Sequence, residues 1–206
     1  RGADPNLSRC PGTSGGAGVI SWVEIHAGVF GAWRIARRDP GGMVWINDSP
    51  QGFWRSFWAA ALVFPGVMAL EILSGGFGEN PGPRAVLVKL ISYVIDWTAY
   101  PLLMVFVAES LGRFHRFWRY GALYNWASVV QVGLLLPLVS MTVLTASPIL
   151  MLVVQALTVL LLVYRAYMAH VALEVGLFTA IGITFMDVLL ALLLENISDR
   201  VMVGLW

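Results

Sequence analysis

"ILMLVVQALTVLLLVYRAYMAHVALEVGLFTAIGITFMDVLLALLL", Ile149 to Leu194, is a run of 46 residues that stays apolar for most of its length. As one helix it would measure about 69 Å at 1.5 Å per residue, more than twice the roughly 30 Å hydrocarbon core of a bilayer. Its polar break, "YRAYMAHVALE" (Tyr164 to Glu174), divides it into two crossings joined by a turn, with Arg165 ending the first. Pro148 fits the first helical position of that first crossing, where its missing N–H costs nothing.

The rest of the chain reads the same way. Of 206 residues, 58% are hydrophobic and 12% charged, about half the roughly 25% charged content of soluble domains. Mean hydropathy is +0.76. A soluble domain of this length has no interior large enough for that much apolar surface, so the fold class is all-α, a polytopic membrane helix bundle. Upstream lie three more apolar segments: Phe57 to Leu73, about Val86 to Leu111, and about Ala122 to Leu144. Ser49 offers an N-cap to the first of these, Pro50 the first helical position and Asp48 a second cap. That makes five transmembrane helices within residues 49–206.

Residues 19–48 read differently. Trp22, Ile25, Val29, Trp33 and Ala36 recur at spacings of three and four, and Glu24, Arg34 and Arg38 fall away from them. This predicts an N-terminal amphipathic helix lying on the membrane interface, followed by a loop. Gly28 and Gly31 weaken it, each by about 1 kcal/mol relative to Ala. Residues 1–18, rich in Pro, Gly and Ser, read as a disordered tail, and no apolar core in them suggests a signal peptide. Trp54, Trp58, Trp118, Tyr120, Tyr124 and Trp126 sit near predicted span ends, as an aromatic belt would.

Orientation follows from the basic residues of short loops. Arg34, Arg37, Arg38, Arg55, Arg113, Arg116, Arg119 and Arg165 share one side, and Arg84, Lys89 and Arg200 the other. The N-terminus is therefore expected in the cytoplasm and the C-terminus in the periplasm. The twelve Arg against one Lys suit a GC-rich bacterial genome and hence an inner membrane. Net charge is +1, which gives no long-range pull on nucleic acid.

Motifs of catalysis are missing. No HExxH, P-loop lysine motif or G-x-S-x-G elbow occurs, and the single cysteine, Cys10, rules out a Cys-based zinc site or an internal disulfide framework. His170 and Glu174, four apart, suit an ion pair or a loop hydrogen bond better than a metal. No enzyme, metal or other cofactor is expected. The chemistry lies in charges within the spans: Lys89, Asp96 and Glu109 in the second, Arg165 at the end of the fourth and Asp187 in the fifth. Glu109 and Arg113 have the spacing of a helix-surface salt bridge. An acid at mid-span costs roughly 2.5 to 3.5 kcal/mol on translocon scales, so Asp96 and Asp187 should face the bundle and have partners. Lys89, Tyr93, Asp96 and Tyr100 share one helix face, and Gly176, Ala180, Thr184, Asp187 and Ala191 form a small-residue stripe that permits close helix approach. The two acids should lie at similar depths, with Lys89 available to compensate one of them. Each then either hydrogen-bonds to Tyr, Thr or Ser across a helix contact or forms part of a proton or cation route.

Five spans, a basic cytoplasmic N-terminal segment and an external C-terminus resemble the Yip-type membrane domain, the Rab-interacting-protein family with its bacterial relatives. "FHRFWRYGALYNWASVVQVGLLLPL" (Phe114 to Leu138) is similar to that family's basic turn and following helix. "LLVYRAYMAHVALEVGLFTAIGITFMDVLLALLL" (Leu161 to Leu194) is similar to its turn between spans four and five. The likeness covers about residues 53 to 195. "GAWRIARRDPGGMVWINDSPQGFWRSFWAA" (Gly31 to Ala60) also resembles uncharacterised bacterial inner-membrane proteins. The resemblance implies a non-enzymatic protein that organises or binds partner proteins or lipid, with other membrane proteins or a second copy as its partners. Two other readings stand beside it: a small transporter or ion pathway using Asp96 and Asp187, with Pro65, Pro101 and Pro137 breaking helices beside a cavity, and an accessory subunit of a larger membrane complex.

Overall fold

A computed structural model describes residues 20–77 and 82–203 of the chain; the expected disordered tail at 1–18 lies outside the described residues. Helix α1 (Trp22–Ala36) is capped by Ser21, whose side chain accepts from the Glu24 amide at 3.2 Å. A 3-10 turn, Pro40–Trp45, leads to the short α2 (Pro50–Ser56). Ser49 caps α2 as expected, with Pro50 next to it, and Asn47 rather than Asp48 supports the cap by accepting from the Ser49 amide. Then come α3 (Trp58–Leu73), α4 (Pro83–Ser110), α5 (Phe117–Thr145), α6 (Pro148–Leu173) and α7 (Leu177–Val203). Five helical stretches, α2–α3 taken together and α4 to α7, are long and apolar enough to cross a membrane. The protein is an all-α, multi-pass integral membrane protein.

Two helix boundaries, one ion pair and the proline breaks are corrected. Helix α5 starts at Phe117, not near Ala122, so Tyr120 and Trp126 are core residues (2% and 4% exposed) and not a headgroup belt. Tyr124 likewise packs against the core. Trp54 and Trp58 do remain outward, at 66% and 44% exposure. Helix α6 runs through the polar break to Leu173 and stops only where Glu174 takes the left-handed conformation (φ 53°). Arg165 is therefore inside the helix and not at its turn. Helix α4 stops at Ser110, and Gly112 turns the chain with φ 65°. Arg113 thus leaves the helix face of Glu109, which stays exposed and unpaired among the described residues. Pro65, Pro101 and Pro137 break nothing; α3, α4 and α5 continue through them.

Helix α5 is the axis of the fold. It packs on α6, α3, α1 and α2; α7 packs on α6 and α4; α4 meets α5 more sparingly, through Tyr100 and Tyr120. The order around the bundle is thus α3–α5–α6–α7–α4. The ends of this row, α3 and α4, share no extended packing. Side chains alone bridge them: Tyr93 donates to the Ala60 carbonyl at 2.6 Å, Phe64 meets the Tyr93 ring edge-on, and Lys89 pairs with Glu71. A cleft therefore opens along the α3–α4 seam.

The other end of the bundle is closed by aromatics. Phe53 packs on Phe57, Phe117 and Trp118, and Gly121 makes room for it: a Cβ there would lie 2.6 Å from the Phe53 ring. Arg116 and Arg119 clamp Glu174, and Arg119 also donates to the Ala172 carbonyl at 2.5 Å, which caps α6 and ties the α6–α7 turn to α5. His170 makes the loop hydrogen bond, to the Val175 carbonyl at 2.7 Å.

Helix α1 lies at this closed end and differs from the expected two-faced helix. Its packed face is Gly28, Gly31, Ala32 and Ile35, with Ile25, Val29 and Ala36 partly buried beside it. Trp22 and Trp33 point away, at 82% and 42% exposure, and so does Val23 at 78%. The glycines, counted as weak points in a lone helix, are the contact surface. A Cβ on Gly28 would sit 2.5 Å from the Trp126 ring, and one on Gly31 would sit 2.9 Å from the Gly42 carbonyl oxygen. The charges expected on a free polar face are instead paired. Arg55 bonds Glu24 at 3.1 Å, and Arg34 bonds Asp39 at 2.5 Å. The Arg34 hydrogen bond, helped by the Gly41 amide, holds the Asp39 carboxyl below the usual carboxylate range. That contribution is present above the ordinary carboxylate pKa and is lost as pH falls through the lowered one.

Candidate functional site

The α3–α4 cleft widens into a cavity of about 380 Å³ between α3, α4 and α7, floored by α5 and α6. The face of α4 predicted to be polar lines it: Lys89, Tyr93, Asp96 and Tyr100. Asp187, from the small-residue stripe of α7, lines it from the opposite wall. The sequence-predicted acids therefore meet in one cavity, at similar depth. Measured from the end that carries the α3–α4 turn, Asp96 stands 13 residues after the start of α4 and Asp187 16 before the end of α7, about 20 Å and 24 Å along their helices at 1.5 Å per residue.

Their environments differ. Asp187 is buried, 4% exposed, and its carboxylate is fully engaged. Arg165 donates to one oxygen at 2.6 Å and Tyr124 to the other at 2.9 Å. Arg165 also donates twice to the Gln131 side-chain oxygen, at 3.1 and 2.9 Å, and lies 5.6 Å from the centre of the Tyr124 ring. This is a charge-compensated cluster with each charged group hydrogen-bonded, the condition under which buried ion pairs are tolerated. The compensating cation is Arg165 and not Lys89, because α6 continues as a helix past Arg165 and carries it to the depth of Asp187. Lys89 pairs instead with Glu71 across the seam, at 2.8 Å.

Asp96 has no hydrogen-bond or ion-pair partner among the described residues, and it faces the cavity as an exposed side chain. It also borders a second cavity of about 230 Å³, which reaches Trp97, Ser128 and Gln131 on the α5 side. The two share Asp96, Tyr124 and Arg165, so these residues stand at a junction. Glu195, near the cavity mouth, is the other carboxylate without an ion pair. Counting charged groups on the wall, Glu71, Asp96, Asp187 and Glu195 face Lys89 and Arg165, an excess of two negative charges. Below the floor, Tyr100 and Tyr120 share a hydrogen bond at 2.5 Å, Tyr100 stacks on Tyr124, and Met104 and Leu123 are fully buried. The cavity is therefore closed toward the α1 end and opens toward the end of the bundle that carries the α3–α4 turn.

Glu109 takes no part in this site. Gln131 and Tyr124, which do, escaped the reading of sequence. Gln131 is an uncharged residue in an apolar run, and Tyr124 lay at what looked like a span end. The signal that would have found both is helix phase, since Tyr124 and Gln131 are seven residues apart and share a face of α5. Among the described residues no three His, Cys, Asp or Glu side chains gather as a metal-binding group. No family model matches the chain, and no curated protein and no solved structure matches it.

Proposed function

We propose that this membrane protein is a non-enzymatic binder, of the small-transporter kind, whose cavity takes up a small organic ammonium cation. The observation that carries the reading is Asp96. Every other acid at mid-span depth is paired, whereas this one faces an open, net-negative cavity without a partner. An uncompensated carboxylate at that depth is costly, and a bound cation offsets the cost. Tyr93 on the same wall favours an ammonium group over a bare ion, since aromatic rings attract such cations. We favour this over a partner-organising role of the Yip-type kind, because a scaffold needs helix surfaces and has no use for an unpaired acid at mid-membrane. The test is calorimetric titration of the protein in phosphatidylcholine nanodiscs with tetramethylammonium. Wild type should show saturable binding, and Asp96→Asn should weaken it at least about tenfold, or 1.4 kcal/mol, with thermal unfolding unchanged. Equal binding by both proteins sinks the reading.

The same reading sets an orientation in a bacterial inner membrane. With Arg165 removed from the loop count, Arg34, Arg37, Arg38, Arg55, Arg113, Arg116 and Arg119 remain at the α1 end, against Arg84, Lys89 and Arg200 at the other. The positive-inside rule then puts α1 in the cytoplasm and the cavity mouth in the periplasm. Alkaline phosphatase fused after Trp206 should be active and green fluorescent protein fused there dark. The reverse pattern would refute the orientation.

A further inference from the structure

On the lipid-facing side, a shallow groove of about 150 Å³ runs between α4 and α7. Its walls are apolar: Val88, Ile91, Ile95, Ile197 and Val201. Ile91, Ile95 and Ile197 are 51%, 42% and 39% exposed, so the groove opens outward to where acyl chains lie. It is not separate from the polar cavity. Ser92, Asp96, Leu194 and Ser198 border both, and the hydrogen bond from Ser92 to Ser198, at 3.0 Å, forms the sill between them. Asp96 thus stands where a hydrocarbon groove meets a net-negative, tyrosine-lined cavity.

We infer that the ligand of the cavity is a membrane-borne amphiphile: its protonated amine or quaternary ammonium head lies beside Asp96 and its hydrocarbon chain lies in the α4–α7 groove. This rests on the proposed reading that the cavity binds a cation, and adds the ligand's class and its route of entry. Charge selects the head. An anionic phosphate head would meet four carboxylates against two cations that are already paired, whereas a cationic head is drawn to the two acids without ion pairs. The groove selects the chain and sets its direction, since apolar walls continue away from Asp96 along about 10 Å of α4, from Ile95 back to Val88, at 1.5 Å per residue. The chain adds little affinity of its own, because bilayer hydrocarbon is as apolar as the groove. Its effect is to hold the head at one place and one depth.

That fixes the form of the experiment, since chain length changes partition into the bilayer as well as binding. A long-chain amine carrying a diazirine in mid-chain is photolysed with the full chain in phosphatidylcholine nanodiscs, and the alcohol with the same chain and diazirine serves as control. The amine should label the α4 and α7 peptides containing Ile91, Ile95 and Ile197 at least fivefold more than the alcohol does. Asp96→Asn should erase that preference. Ile95→Trp, which fills the groove from its lipid side, should lower labelling yet leave tetramethylammonium binding intact. If tetramethylammonium binds in an Asp96-dependent way but the amine labels the bundle perimeter evenly, the amphiphile inference is overturned and the cation reading stands. If neither ligand depends on Asp96, both are overturned.

Discussion

Asp187→Ala should destabilise the folded bundle by about 3–5 kcal/mol, the usual cost of removing one partner of a buried ion pair. The carboxylate is 4% exposed and takes the Arg165 guanidinium at 2.6 Å. Without it, Arg165 keeps only the Gln131 oxygen and the Tyr124 ring, both uncharged. The chain cannot relieve this by deprotonating Arg165, because a guanidinium does not give up its proton in a protein. The guanidinium does border the open cavity, at 27% side-chain exposure, which places the loss toward the lower end of that range. The double variant Arg165→Met, Asp187→Leu should recover most of the loss, as replacing both partners by apolar groups removes the desolvation cost along with the attraction. Asp96→Asn, by contrast, removes a charge that satisfies nothing in the fold and should cost less than about 1 kcal/mol. Unfolding by SDS titration in mixed micelles, followed by tryptophan fluorescence, reads all three. An Asp187→Ala loss no larger than that of Asp96→Asn would show that the pair does not hold the bundle together.

The spans and the interior acids were legible in the sequence because both depend on strong local signals. Twenty apolar residues in a row report a crossing, and a charge inside such a run reports an interior position whatever the neighbours are. The polar face of α4 followed from helix phase alone. Pairing was less legible, since it depends on how deep each helix end reaches. Tyr164 to Glu174 looked like a turn because it is polar, yet its polar members each have a use within or beside the helix: Tyr164 donates to the Ala32 carbonyl, Arg165 to Asp187, and His170 contacts the Val175 carbonyl. The break comes only at Glu174, one residue whose left-handed backbone no hydropathy window records. Moving that boundary gives Asp187 the partner Arg165, while Lys89, expected to compensate one of the two acids, pairs with Glu71 and leaves Asp96 alone. For α1, periodicity gathered the tryptophans into the apolar stripe of an interfacial helix because they are large. The bundle chose the glycines because they are small, and a helix that must lie close to α5 needs the absence of side chains more than their presence.

Trp126→Ala should release α1 from the bundle. Trp126 is 4% exposed, and its ring fills the space that a Cβ on Gly28 would need, at 2.5 Å. The ring is thus the seat on which α1 rests, and truncating it leaves a hole bounded by Gly28, which has no side chain to collapse into it. Large aromatic-to-alanine changes in a core cost about 3–5 kcal/mol when the site cannot relax. The surviving tethers of α1 include the partly exposed Glu24–Arg55 pair and the hydrogen bonds from Tyr164 to the Ala32 carbonyl and Tyr167 to the Arg38 carbonyl. Each is worth of the order of 1 kcal/mol, and with the buried Ala32 and Ile35 they leave α1 docked part of the time, so the loss appears as a larger undocked fraction. Helix α5 itself should persist, since its 29 residues make about 44 Å at 1.5 Å per residue, of which roughly 30 Å suffices to cross the hydrocarbon. Helix α1 docks along the first half of α5, beside Trp126, Val130 and Leu134, and adds no crossing, so undocking exposes α1 without unthreading a span. Arg34, Arg37 and Arg38, at and beyond the end of α1, are ready-made trypsin sites for reading this. In Trp126→Ala nanodiscs, cleavage there should be at least tenfold faster than in wild type, while the five-span core stays protected. Hydrogen exchange at the α1 amides should accelerate with it. Gly28→Leu, which drives a side chain into the same ring from the other side, should give the same pattern with Trp126 in place. Unchanged cleavage in both variants would mean that α1 is held by the membrane surface and owes nothing to its seat on α5.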